Sequence, residues 1–323
     1  MKNRYEEKVQ KMIQYYQNLK KAFIWEQDMV KHVVALTYAM KDKVLDLSQI
    51  KDMKDYIKTK TEMFSPFRGH MMFALSGLLC AASDTPKAKF DFMVTHEKTL
   101  KTVGFKNASY LPIALYALTN INENHEVTGY VEKAMRIYKE MKHNHPFLTS
   151  GDDYALAILL AGTDHSPQRL EDYYQALNER GFSKSNGLQA LSHIMAFSDK
   201  QIKDAVDYCE RIYVQLKEHK LKLYPDYYSA IGLVSLLDME QNELMTDLIE
   251  VASYLKNHKK YMFLGKGMNI LIASGIIASE YIKEKSYDMV ISSTLSVSIQ
   301  AIIAAQQVAI ITAASTAVAV STT

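Results

Sequence analysis

Phe73-Ala74-Leu75-Ser76-Gly77-Leu78-Leu79-Cys80, Tyr154-Ala155-Leu156-Ala157-Ile158-Leu159-Leu160-Ala161 and Tyr228-Ser229-Ala230-Ile231-Gly232-Leu233-Val234-Ser235 are three versions of one phrase. An aromatic residue, small residues and leucines return at intervals of roughly 75 to 80 residues; the third copy keeps these classes and drifts elsewhere. A second phrase follows in register, Gly104-Phe105 with Leu111 and Leu118, then Gly181-Phe182 with Leu188 and Met195. A third unit places Met262, Gly267, Met268 and Leu271 at the equivalent stations. Between units runs a helix with an Arg-Ile-Tyr centre, at Arg136-Ile137-Tyr138 and Arg211-Ile212-Tyr213. The period exceeds the roughly 34 to 40 residues of two-helix solenoids, so each unit holds several helices. The predicted fold is all-α, a helical-repeat array like an α-α superhelix, with about three degenerate four-helix units.

Outward from the phrase, the same periodicity continues. Tyr5, Val9, Met12, Ile13, Tyr16, Leu19 and Phe23 recur at three- and four-residue steps and share one helical face. Alternating β-branched runs bounded by turn pairs are missing before residue 289. Prolines stand isolated at 66, 86, 112, 146, 167 and 225, and three of them, Pro66, Pro146 and Pro225, shortly precede the apolar phrase, where a proline ends one helix and orients the next. No Gly/Ser or Pro-rich linker divides the 323 residues, which therefore read as one continuous body. Its expected parts are N-terminal helices over 1–60 packing on the array, a repeat body over 61–285, and an uncharged C-terminal helix over 286–323.

Net charge is +2, which favours no particular class of partner. The first 60 residues carry thirteen Lys/Arg against eight Asp/Glu, but these alternate along helices without an arginine cluster, so no nucleic-acid partner is expected. Cys80 and Cys209 sit inside apolar helical phrases as small core residues. With no signal peptide at the charged N-terminus, the expected compartment is the cytoplasm.

After Asp288 no charged side chain appears. The segment 289–323 exceeds the roughly 20 residues that span a bilayer as a helix, and Lys283 and Lys285 precede it. That allows a tail anchor on the cytoplasmic face of a membrane. Gln300, Gln306, Gln307 and the many small residues favour instead a helix that caps the last repeat or packs on a second copy of the chain.

Chemistry-bearing motifs are sparse. Glu140, His143 and His145 form a Glu-x-x-His-x-His string, yet a di-iron bundle needs a second such motif and two further carboxylates. His96-Glu97 lacks the second histidine of a zinc protease, since Leu100 stands there. Asp164-His165-Ser166-Pro167 is a helix start with Ser166 as cap. Gly-x-Ser-x-Gly, Walker A and Gly-x-Gly-x-x-Gly strings are missing, and Gly265-Lys266-Gly267 is too short for a phosphate loop. No catalytic residue, metal or cofactor is expected.

The residues just before each apolar phrase are polar: Arg68-Gly69-His70, Gly151-Asp152-Asp153 and Pro225-Asp226-Tyr227. Stacked units would bring these stations into a row, where such arrays bind partners, although aspartate at helix starts also serves capping. The candidate binding residues are Arg68, His70, Asp152, Asp153, Asp226, Tyr228 and Lys266. The expected function is a non-enzymatic interaction or regulatory protein holding a protein or peptide along the concave edge, with self-association possible. The alternative is an enzyme in which Arg68, His70, Asp152, Asp153 and Asp226 converge in one pocket; a membrane-tethered scaffold would depend on the tail.

Phe23-Ile24-Trp25-Glu26, Arg68-Gly69-His70-Met71-Met72, Leu264-Gly265-Lys266-Gly267-Met268 and Ala305-Gln306-Gln307 together resemble an uncharacterised helical family of Bacillus-type bacteria, a domain of unknown function. The resemblance covers nearly the whole chain. It implies a helical fold and a bacterial cytosolic setting, and it supplies no catalytic residues.

Overall fold

Two kinds of helix alternate along the chain, and their composition decides where each lies. The computed structural model of the protein describes residues 2–120 and 126–287, apart from the side chains of His70, Ser286 and Tyr287. Among these residues every regular element is a helix. The odd-numbered helices are α1 (Asn3–Ala22), α3 (Leu47–Lys60), α5 (Pro86–Val103), α7 (Val127–Asn144), α9 (Gln168–Glu179), α11 (Ile202–Glu218) and α13 (Gln241–Asn257). They are amphipathic: α1 buries Tyr5, Val9, Met12, Tyr16 and Leu19 and leaves Glu6, Glu7 and Lys11 in solvent. The even-numbered helices are α2 (Asp28–Met40), α4 (His70–Ala82), α6 (Leu111–Leu118), α8 (Tyr154–Leu160), α10 (Asn186–Met195), α12 (Tyr228–Ser235) and α14 (Lys266–Tyr287). These are largely apolar on every side, and every residue of α6 and α8 is buried. A helix without a polar face must be covered all round, so the even helices form an inner row clothed by the odd ones. The three copies of the apolar phrase are α4, α8 and α12 of that row.

The row closes on itself. α2 packs on α4, α4 on α5 and α5 on α6; α6 then meets α8, and contacts continue through α10, α12 and α14, which returns to α1 and α2. Each odd helix packs on the even helix that follows it, and the short connection between the two makes them antiparallel. α1 and α13 run in the same direction, since Lys2 meets Glu243, Tyr5 meets Asp247 and Gln10 meets Tyr254. α1 runs against α14, with Arg4 beside Glu284 and Lys8 beside Glu280.

All even-to-odd connections therefore gather at one end, here the base, and all odd-to-even connections at the other, here the crown. At the base the connections are tied in a circuit. Lys43 donates to the Ser83 carbonyl (2.8 Å), Lys89 to Thr119 (2.7 Å) and Lys133 to Thr163 (2.8 Å). Lys200 faces Asp238 at 3.5 Å, whose N–H donates to the Tyr281 hydroxyl, and Lys283 meets Asp42 at 2.7 Å.

Closure is held by a buried lysine. Lys8 Nζ lies 2.9 Å from Glu280 Oε1 and 3.1 Å from Asp42 Oδ2, and donates to the carbonyls of Ala39 and Met40 at the end of α2, each at 3.2 Å. Burial pulls this amine below the ordinary lysine range, while the Asp42 carboxylate pulls it back. One lysine thus joins the first, second and last described helices.

Inside the ring an aromatic corner recurs. Phe105, just after α5, packs its ring 4.8 Å from Tyr154 of α8, and Tyr138 of α7 completes the group at 4.9 Å from Tyr154. Phe182, just after α9, repeats this with Tyr228 (5.1 Å) and Tyr213 (4.9 Å). Phe23 and Phe73 make the first corner at 4.8 Å, with the Lys54 amine over both rings where the others place a tyrosine. Edge-to-face pairs of this kind contribute about 0.5–1.5 kcal/mol each beyond burial. Gly104 and Gly181, at φ 131° and 87°, make the turns that deliver Phe105 and Phe182. At the third station the sequence pointed to Met262. The buried aromatic there is Tyr261, packed on Tyr16 and His32, while Met262 lies half exposed one residue on.

One hydrophobic core runs from Tyr5 to Ile282. Cys80 and Cys209 belong to it, and burial pushes both thiols up to about 12. Ser166 and Pro167 stand just before α9, which begins one residue later than expected with Pro167 at the capping position, and the Ser166 hydroxyl accepts from the Gln168 N–H at 3.2 Å. The capping, self-association and membrane readings of 289–323 fall outside the described residues.

Candidate functional site

Every candidate binding residue lies at the crown, in four places around the ring: Arg68 and His70 at the start of α4, Asp152 and Asp153 before α8, Asp226 and Tyr228 at the start of α12, and Lys266 at the start of α14. Arg68 precedes α4 and spends its guanidinium on α3, donating to the carbonyls of Lys58 (2.7 Å) and Thr61 (2.6 Å). It is a brace for the end of that helix. His70 is the first residue of α4, and its side chain is outside the described set. Asp152 is exposed and accepts from the Ser150 hydroxyl. Asp226 and Lys266 are exposed at the starts of the turn before α12 and of α14. Tyr228 is buried in its aromatic corner and presents nothing to a partner. Among the described residues no hydrogen bond or ion pair joins Arg68, Asp152, Asp153, Asp226 and Lys266 to one another.

Asp153 is buried beneath this surface. Its carboxyl accepts from the Ser150 N–H at 2.9 Å, closing a capping box over the short turn Gly151–Asp153, and lies 3.6 Å from His193 Nδ1 of α10. Burial, with the nearby Asp152 charge, raises the Asp153 carboxyl to about 8; burial lowers His193 to about 3. Burial thus disfavours the charged form of both partners. At 3.6 Å the pair is also too long for a hydrogen bond.

His193 lines a narrow cleft between α7, α9 and α10, with Glu140, His145, Glu171 and Ser192. His145 Nε2 meets Glu171 Oε2 at 2.8 Å, and Gln189 donates to Thr149 Oγ1 at 2.8 Å beside it. A His–Glu pair can relay a proton. Its neighbour Ser192 is not an activated nucleophile, because its hydroxyl donates to the Gln189 carbonyl one turn back at 2.8 Å. Of the Glu-x-x-His-x-His string, Glu140 and His143 are exposed, and only His145 is engaged. Among the described residues no three His, Cys, Asp or Glu are grouped to hold a metal ion.

The most unusual chemistry at the crown is apolar. Ten large hydrophobic side chains are exposed among the described residues, and eight of them stand on crown connections: Ile24, Trp25, Met63, Phe64, Phe147, Tyr224, Met262 and Phe263. Trp25 is 91% exposed, Phe64 95%, Phe147 98% and Phe263 85%. The other two are Val44 at the base and Val214 on α11. Charge is divided the same way. Crown connections carry eight Lys/Arg against five Asp/Glu, whereas the described base connections carry three against eight. The last turns of the outer helices add Lys20, Lys21, Lys58, Lys60, Lys101, Lys142, Lys217 and Lys256 to the crown. The helix dipole explains much of that polarity, since acids such as Asp46, Glu126 and Glu240 cap the outer helices at the base. It does not explain exposed aromatic rings. The sequence marked none of these eight as a site. Their usable signal is position: they fall off the helical period, beside Pro66, Pro146, Pro225 or lysine pairs.

An all-helical ring with a polarised crown is what the fold defines. The chain belongs to a family of proteins of unknown function, DUF4003, whose profile matches residues 6–308. The family resemblance carried by Phe23–Glu26 and Arg68–Met72 is thereby borne out. The chain is similar to the uncharacterized protein YeaA of Bacillus subtilis (strain 168), at 28% identity over 325 residues, covering 98% of this chain and 95% of that protein. No solved structure matches.

Proposed function

We propose that the chain is a non-enzymatic docking protein, a ring of four-helix repeats that holds a partner through its crown. In this reading α1–α4, α5–α8 and α9–α12 are the units, each marked by its aromatic corner, and α13–α14 close the ring on α1. The N-terminal helices are then part of the first unit. The single observation that carries the proposal is the set of eight exposed apolar side chains on crown connections. Scattered single exposed apolar residues are ordinary on a protein surface; a set confined to one end marks an interaction surface. Catalysis is the weaker reading, because the polar candidates are spread around the ring and the His145–Glu171 cleft lacks an activated nucleophile.

The test is the full chain carrying Trp25→Ser, Phe64→Ser and Phe263→Ser, compared with Val44→Ser at the base, in lysates of cells that express it natively. Sedimentation should show the wild type and Val44→Ser in a larger assembly or fraction, and the triple variant released from it. If all three chains sediment alike, the crown is not the docking face.

A further inference from the structure

The crown also specifies the chemistry of what it meets, an inference that rests on the crown being the docking face. We propose that the crown seats on the surface of an anionic phospholipid membrane, its loop tips entering the headgroup layer.

Three observations carry this. The first is residue type: a tryptophan, three phenylalanines and a tyrosine, joined by Ile24, Met63 and Met262, occupy loop tips. Aromatic rings with apolar neighbours are the side chains that settle at the membrane–water boundary.

The second is the lysines beside the tips. Lys20 and Lys21 precede Ile24 and Trp25; Lys58 and Lys60 precede Met63 and Phe64; Lys220 and Lys222 precede Tyr224; Lys259 and Lys260 precede Met262 and Phe263. All eight lysines are exposed. Lys20, Lys58 and Lys60 also meet Asp28, Asp55 and Asp91, while the Lys222 amine lies over the Tyr224 ring. Lysine is depleted from protein–protein interface centres. Beside an anionic bilayer it is favoured, because its long stem lies along apolar surface while the ammonium reaches phosphate.

The third is the opposite end. With eight acids against three basic residues on its described connections, the base is repelled by the surface that attracts the crown. One orientation is selected. The contact is peripheral as far as the described residues go, since none of their helices is long and apolar enough to cross a membrane.

The experiment uses the chain's single tryptophan, which is Trp25 itself. The full-length protein is titrated with vesicles of phosphatidylcholine, and of phosphatidylcholine mixed with phosphatidylglycerol, while Trp25 emission and vesicle co-sedimentation are followed. With phosphatidylglycerol present, emission should shift to the blue and be quenched by brominated acyl chains; without it, both effects should be weak. Raising salt should weaken binding several-fold. Phe64→Ser with Phe263→Ser should weaken it by about tenfold or more, while Val44→Ser leaves it unchanged. These exposed substitutions should keep the wild-type melting temperature, which separates lost binding from lost fold.

Two results overturn the proposal. If Trp25 emission does not move at saturating phosphatidylglycerol vesicles, the crown does not enter a membrane. If the Phe64→Ser/Phe263→Ser chain co-sediments like the wild type, attachment lies elsewhere, residues 288–323 being the next segment to replace. In the first case, release of the triple crown variant from its cellular assembly would keep the docking face and make its partner a protein.

Discussion

Replacing Lys8 by methionine tests whether the ring is closed by charge in its interior. The Lys8 and Glu280 side chains are 3% and 7% exposed, so neither charge can turn to water when the other is removed. In Lys8→Met, Glu280 keeps a buried carboxylate without its 2.9 Å partner, and the Ala39 and Met40 carbonyls lose a donor. Asp42 retains Lys283 at 2.7 Å and is less affected. Breaking a buried pair from one side costs about 3–5 kcal/mol. Unfolding entropy of about 2.1 cal/mol/K per residue gives about 0.7 kcal/mol/K for a chain of this length. The melting temperature should therefore fall by about 4–7 °C, read by circular dichroism at neutral pH. The second arm is Lys8→Met with Glu280→Leu, which removes both charges and leaves apolar side chains of similar size. It should recover most of the loss, because an apolar replacement for a buried pair is often neutral or better. A single variant that melts within about 1 °C of wild type would refute the reasoning. So would a double variant as unstable as the single.

Other perturbations probe the packing of the ring. A Cβ at residue 187 would stand 1.8 Å from the Pro225 carbonyl oxygen, so Gly187→Ala should destabilise by about 1–3 kcal/mol in urea unfolding despite the better helix propensity of alanine. Tyr154→Ala empties the corner between Phe105 and Tyr138 and should cost about 3–5 kcal/mol, whereas Tyr154→Phe, which loses only the hydroxyl accepting from the Asn107 N–H at 3.3 Å, should cost about 1 kcal/mol. Burial lowers His193 to about 3 and His32 to about 4, below the ordinary 6.5. Their neutral forms contribute stability that is complete above pH 6.5 and is lost as pH falls through those lowered values, so the melting temperature should drop on acidification and His32→Phe should flatten that drop. Asp153, raised from 3.8 to about 8, has the opposite sign: its contribution is complete below pH 3.8 and is lost as pH rises from there through 8, so Asp153→Asn should remove that loss and steepen the net drop on acidification.

Helix content was legible because Tyr5, Val9, Met12, Ile13, Tyr16 and Leu19 recur at three- and four-residue steps, the spacing of one helical face, while alternating strand-like runs are missing before residue 289. The aromatic corners were legible as recurring Gly-Phe pairs and Arg-Ile-Tyr centres, since each corner draws its residues from a short stretch of chain. Closure was not. It depends on Lys8, Asp247 and Glu280, which in sequence are ordinary surface charges, and their partners lie more than two hundred residues away. The Met262 station was misplaced by one residue because Met262 and Tyr261 differ in burial, which the local pattern does not encode. At the crown, Arg68 and Asp152 were chosen as binding residues from their place before the apolar phrase, and their bonds go to Lys58, Thr61 and Ser150, partners that the local pattern does not encode. Phe64 and Phe147 escaped notice because an apolar residue beside a proline looks like the fringe of a buried helix.

Ring closure also sets a timetable for folding during synthesis. α1 can pack on α2 almost at once, but Lys2 waits for Glu243 and Asp247, made 241 and 245 residues later, and Tyr16 waits for Tyr261. At about 5–20 residues per second, the ribosome needs roughly 12–50 seconds to deliver those partners. Throughout that interval Lys2, Tyr5 and Tyr16 of α1 stay without those partners, so the packing of the first helix is completed only when the last described helix has emerged.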